Sequence, residues 1–322
     1  MKRTETMCGN QTKVRKIIEN QQFDEERALY ASDHCKLRNC SFAGPADGES
    51  ALKESYDIVI DRCRFSLRYP LWHVQGFQMN DSEMDEGTRA AIWYAGNGTI
   101  TNSILNGIKV IRECSRIDLR NCRINSDEFA WKSSSLTVEN TYIHSGYAFL
   151  DSSEVRIRNG KLDGQYACQY VNHLEIDNSD FNTKDAFWHS RNVTVRNSRI
   201  KGEYLGWFSD GLTLIDCRIE GTQPLCYCRN LVLQNCTMEN ADLAFEYSDV
   251  NADITGNIIS VKNPRSGQIQ ADSVGAVIHD NPVMECTGNV VIRKREKNDV
   301  RSQKAEKENN DRERQIRHDP DR

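Results

Sequence analysis

Ile117-Asp-Leu119-Arg-Asn121-Cys122-Arg-Ile124 is the clearest copy of a phrase that recurs through the middle of the chain. The phrase reads apolar-x-apolar-x-Asn-small-x-apolar. Asn102, Asn121, Asn140, Asn159, Asn178, Asn197, Asp216 and Asn235 fill its Asn slot, every step being 19 residues. A short fixed period marks a solenoid, in which each repeat is one coil stacked on the last. Alternation of apolar and polar residues, with Val, Ile, Leu and Thr prominent, makes the phrase a strand. Asn then stands where the chain turns, because it tolerates unusual backbone geometry and bonds its own main chain. Equivalent Asn residues in stacked coils lie ~4.8 Å apart, near enough for an amide ladder.

These features predict an all-β, single-stranded right-handed parallel β-helix of about 19 residues per coil. A leucine-rich repeat places Asn three residues after the last apolar one and needs at least ~20 residues per repeat. Here Asn follows by two, and the other half of the coil carries no helical stripe. The phrase also enters less regularly, at Leu37–Phe42, Ile58–Phe65 and Phe77–Met84, and loosens beyond Asn235. Gly44–Ser50 and Val261–Gly267 read as loops between coils. Residues 1–30 are expected to cap the first coil and 31–292 to form the helix. Residues 293–322 hold 11 basic and 8 acidic residues with little apolar content, the composition of a solvated tail.

The net charge of −5 gives no reason to expect nucleic acid. No apolar run is long enough to span a membrane, and the basic start lacks the apolar segment of a secretory signal. Five of the 12 cysteines (Cys40, Cys63, Cys122, Cys217, Cys236) occupy the small slot after the Asn, where Ser, Thr or Gly stands in most other coils. Such a slot selects for size, as a buried free thiol does, so a reducing, cytoplasmic setting is expected. Cys217, Cys226, Cys228 and Cys236 invite a zinc site. They divide between two strands, so convergence is not expected, nor is any other metal or cofactor.

Glu26–Tyr30, Gly44–Glu54, Leu67–His73, Phe187–Ser190 and Phe245–Ser248 resemble segments of a bacterial family catalogued as domain of unknown function 3737, within the pectin-lyase-like superfamily. The resemblance covers about residues 20–292. It implies the β-helix fold and supplies no activity. The wider superfamily suggests polysaccharides as a substrate class, by analogy of fold alone. The Asn-Thr-Asp, Asp-Asp, Gly-His-Gly and Arg-Ile-Lys motifs of inverting polygalacturonases are missing. So is an acidic cluster suited to a pectate lyase calcium site.

Counting from each Asn, the eighth and tenth residues onward are mostly apolar (Phe129 and Trp131, Ala186 and Trp188) and are expected to face inward. The seventh and eleventh then face outward from a second strand. The seventh column includes Tyr147, Tyr166, Asp185 and Tyr204. The eleventh includes Glu113, Lys132, Asp151, Tyr170, His189, Phe208, Tyr227 and Glu246, with His73 and Tyr94 extending the face. Aromatics beside carboxylates suit a sugar, whose apolar faces stack on rings while polar groups take its hydroxyls.

Glu113, Asp151, Asp185, His189 and Glu246 are the candidate catalytic groups. Glu113 and Asp151, two coils and ~9.6 Å apart, approach the separation of an inverting glycosidase. Lys132 between them would keep both ionised, which does not suit a general acid. His189 and Asp185 lie ~13 Å apart along the strand, too far to bond. A structural account competes, since charges of opposite sign on neighbouring strands, and aromatics on a sheet, stabilise it unaided. The expected function is carbohydrate binding, with hydrolase or lyase action as its extension. The alternative is a non-catalytic scaffold that meets a protein partner.

Overall fold

A computed structural model of the chain describes residues 15–44 and 49–293. It is an all-β parallel solenoid of about 14 coils. A typical coil starts with a six-residue strand, such as Ser115–Arg120, whose Ile117 and Leu119 point into the core. Asn121 turns the corner in the left-handed region (φ 54°), and the short strand Arg123–Asn125 follows. Each long strand pairs in parallel with its equivalents one coil away, as Ser115–Arg120 does with Gly96–Thr101 and Ser134–Glu139. The short strands do the same on a second side.

The slot after the corner behaves as its composition requires. Cys122 donates its thiol proton to the Arg120 carbonyl at 3.3 Å, while its backbone N–H donates to the Thr141 hydroxyl at 3.2 Å. Outside the corner the amides form the expected ladder. Asn140 Nδ2 donates to Asn121 Oδ1 (3.3 Å), Asn159 to Asn140 (2.9 Å) and Asn178 to Asn159 (2.8 Å). Inside, apolar side chains stack in register along the whole length, Phe42 lying between Phe23 and Phe65 at 4.9 and 4.8 Å.

The solenoid begins earlier than the sequence suggests. Lys16–Glu19 pairs with Asp33–Arg38, Asn20 takes the left-handed corner, and Asn39 donates to its amide oxygen at 3.2 Å. Residues 16–30 therefore form a coil. The phrase is present there as Ile18-Glu-Asn20, hidden because Gln21 occupies the small slot. Residues 1–14 lie outside the described residues. At the other end Arg293 forms ion pairs with Asp253 and with Asp272 (3.0 Å), closing the last coils. The rest of the expected tail, 294–322, also lies outside the described residues.

Candidate functional site

The third side of the coil, where the sequence places an aromatic and acidic face, departs from a simple strand. Leu71–Trp72, Ile92–Trp93 and Ile111–Arg112 pair as two-residue strands, and later coils close this side with turns. The seventh, ninth and eleventh positions adopt positive φ, as at Asp185 (53°), Phe187 (62°) and His189 (53°). Inside and outside consequently do not alternate. Eighth and ninth residues are both buried (Ala186, Phe187), the tenth is half-buried, and the eleventh is exposed. The tenth-position indoles of Trp131, Trp188 and Trp207 donate to the carbonyls of Tyr147, Tyr204 and Gln223 at 2.8, 2.7 and 2.8 Å. Arg112 and Gln169 are unexceptional in that column because it is an edge, not a core, position.

The eleventh column forms a pile of rings. Centroids of Tyr170, His189, Phe208 and Tyr227 follow one another at 4.9, 5.0 and 4.8 Å, with interplanar angles of 11°, 7° and 13°. His73 and Tyr94 begin the same column at 5.3 Å. Tyr247, not Glu246, continues it (5.8 Å from Tyr227). An irregularity between Leu233 and Cys236 shifts the register, so Glu246 falls in the tenth position and pairs with Lys262 at 2.9 Å. Tyr147 and Tyr166 likewise stack at 4.6 Å, and Tyr204 lies edge-on to Trp207 at 5.3 Å. His189 and Phe208, with a ring stacked on each face, turn mainly their edges to solvent. A sugar stacks on a ring face, and inside the piles those faces are taken.

The carboxylates on this side are equally constrained. Glu113 meets Arg112 at 3.0 Å, and a hydrogen bond from Tyr94, with Arg112 beside it, holds its carboxyl below the ordinary range. It stays ionised. Among the described residues no ion pair joins Glu113, Lys132 and Asp151 to one another. Asp185 is only 6 % exposed, and its Oδ1 is buried with no hydrogen-bond partner. Burial pushes its pKa up, opposed by Lys184 and reinforced by Glu203. His189 is clamped between Tyr170 and Phe208.

A concave feature lies elsewhere, on the outer face of the long strands. A trough of about 840 Å³ runs along the helix axis there. Its cause is a second left-handed column, five residues before each Asn slot. Asn97, Arg116, Ser135, Glu154, His173 and Asn192 have φ of 53–59°. At each of them pairing skips a residue, as between Gly96↔Ser115 and Gly98↔Ile117. A left-handed residue at one place in successive strands bends all of them alike, and the bend becomes a lengthwise crease. These six side chains line it together with Thr99, Asp118, Thr137, Arg156, Glu175 and Thr194, two positions further along.

The lining is polar and internally connected. Arg116 Nε donates to Asn97 Oδ1 at 2.6 Å, and the Ser135 hydroxyl to Glu154 Oε2 at 2.6 Å. Arg156 Nε meets Glu175 at 3.3 Å, and both side chains remain more than 60 % exposed. The sequence reading treats this side as inert core strand. A signal was present: Asp57, Gly76, Asn97, His173, Asn192, Gly211 and Asn230, residue types that tolerate left-handed geometry, recur at this offset. Among the described residues no cluster of His, Cys, Asp or Glu is arranged to hold a metal, and the zinc grouping of cysteines does not form.

The chain is similar to several solved structures and matches one family model. Solved structures similar to it include the surface protein and adhesin PfbA of Streptococcus pneumoniae, at 10 % identity over 85 % of this chain and 91 % of that one (TM-score 0.43). The catalytic domain of a GH87 α-1,3-glucanase in complex with nigerose is similar at 10 % identity, 86 % and 63 % coverage and TM-score 0.30. The periplasmic alginate epimerase AlgG follows at 9 %, 87 %, 73 % and 0.25. No curated protein sequence matches. The family model described as "Protein of unknown function (DUF3737)" matches residues 16–292, so the first coil through the last described strand belongs to it, and the chain is a member of that family.

Proposed function

We propose that this protein binds a carbohydrate chain in the trough on the outer face of its long strands. The observation that carries the reading is the trough itself, a continuous crease over six coils lined by hydroxyls, amides, carboxylates, guanidinium groups and one imidazole. Protein interfaces centre on a fully buried, more apolar patch. Here the apolar liners Leu136, Val155 and Leu174 belong to the core and are at most 1 % exposed. Small-molecule pockets are mostly apolar as well, and Asp118, Glu154 and Glu175 would repel phosphate backbones. A polyhydroxylated chain matches the dense mixture of donors and acceptors. The reading is one of binding. All 11 described cysteines are free, which supports the cytoplasm as the protein's setting.

Calorimetric titration of the full chain with a panel of oligosaccharides tests this. Arg156→Ala and Glu175→Gln should each weaken binding about tenfold, the loss of one to two charge-assisted hydrogen bonds. Tyr170→Ala and His189→Ala should leave affinity unchanged. The reverse pattern would move the site to the ring columns, and silence across the panel would end the carbohydrate reading. A second reading, contact with a protein partner, rests on the exposed ring edges of Tyr147, Tyr170 and Phe208 (40, 52 and 44 % exposed). Sedimentation showing a stable complex lost in Phe208→Ser would support it.

A further inference from the structure

The charge pattern of the trough narrows its ligand, on the premise that the trough is the carbohydrate site. Each coil contributes two side chains, one from each lining column. The coils of Asn97 and Thr99, Ser135 and Thr137, and Asn192 and Thr194 contribute no charge. Arg116 stands with Asp118, and Glu154 with Arg156, so these coils are balanced within themselves. His173 stands with Glu175, which Arg156 of the preceding coil already engages. Two arginines thus face three carboxylates, interleaved along the axis rather than segregated, and each arginine is already bonded by a neighbour.

A polyanion needs the opposite arrangement, a run of unengaged cations. A uronate chain would bring successive carboxylates over Asp118, Glu154 and Glu175, and like charges placed together across an interface count strongly against a partner. A neutral sugar meets no such penalty. Its hydroxyls donate to carboxylates and accept from guanidinium and amide groups, so both members of every coil's pair are used. The spacing adds a direction. Coils repeat every ~4.8 Å, close to the length of one pyranose unit, and six coils span ~24 Å between first and last. We infer that the trough takes a linear, neutral oligosaccharide lying along the helix axis, one sugar unit to each coil.

The test is calorimetry on the full chain with two length series, linear neutral oligosaccharides of glucose, mannose or xylose and oligomers of uronic acids, at low and physiological salt. For the neutral ligand, affinity should climb with each added unit and level off at about six, with little dependence on salt. Uronates of equal length should bind at least about tenfold more weakly at low salt, and the deficit should shrink in the Glu154→Gln, Glu175→Gln double variant. Uronates binding as tightly as neutral sugars, or neutral affinity that does not change with length, would overturn the inference while leaving a carbohydrate site standing. Failure of both series to bind would remove the carbohydrate reading and this inference with it.

Discussion

Asp185 shows how little a column of sequence says about a side chain's state. It was expected as an outward acid, yet it is almost fully covered, with one carboxylate oxygen lacking a partner. Its pKa is raised by burial, so the folded chain holds a proton that the unfolded chain releases once pH passes the usual aspartate range. Its contribution is therefore greatest below that range and declines as pH rises towards the folded value. Asp185→Asn should flatten this dependence and raise the melting midpoint at pH 8 by a few degrees, ~2–4 °C for each kcal/mol recovered. Scanning calorimetry from pH 4 to 8 reads both. The five small-slot cysteines are the converse case, since the composition of that slot announced burial and all five are buried. Burial raises the thiols of Cys63 and Cys228 to about 11 and that of Cys114 to about 12. Among the described cysteines only the partly exposed Cys286 should react with a thiol reagent before unfolding, which peptide mapping of the labelled native chain checks.

At the scale of the element, corner and crease rest on the same backbone device with different side chains. The corner uses Asn almost throughout, and its amides interlock. Asn140→Ala removes the bonds to Asn121 and Asn159 and leaves Ala at φ 49°, a loss of ~2–3 kcal/mol. Asn140→Gly should cost visibly less, because glycine accepts that φ, and urea denaturation of the two variants separates bond from strain. The crease places Glu154 at φ 54° with one exposed inter-coil bond, from the Ser135 hydroxyl, in place of a continuous ladder, so Glu154→Asn should roughly hold stability, the easier backbone offsetting that bond, while weakening binding. The first of these elements was legible because Asn dominates its slot. The second was obscured by Arg116, Ser135 and Glu154, which interrupt the run of tolerant residues. The third side misled for another reason: a double-buried pair such as Ala186-Phe187 breaks the period of two on which an inside–outside assignment depends. His189 belongs there as a spacer, so His189→Phe should preserve the pile and His189→Ala should cost ~1–2 kcal/mol.

For the whole molecule, nearest-neighbour stacking governs. Apart from contacts at the two ends, such as Arg15 with Asp57 and Arg293 with Asp253, each coil packs on the coils beside it, and the period is an integer number of residues that can be excised. Removing residues 198–216 joins Asn197 to Cys217 and restores the phrase across the junction. The shortened chain should fold, with a lower midpoint and unchanged occupancy of the trough, whose lining ends at Thr194. Removing ten residues from the same place should leave no cooperative transition. Circular dichroism melts and the titration above decide both. The architecture was readable from the 19-residue beat because periodic patterning is a property of the core. The trough was not, because it arises from how the strands bend, and bending leaves only the faint trace of the left-handed column.

The crease has one more consequence. Its polar lining side chains point away from the core, two from each coil, and none of them belongs to the apolar interior. The surface of the trough can therefore be rewritten one coil at a time, by point substitution, with the interior left intact. The lining is in this respect movable type, the frame constant and each piece replaceable. Grafting the two trough residues of one coil onto another would show whether the reading moves with them.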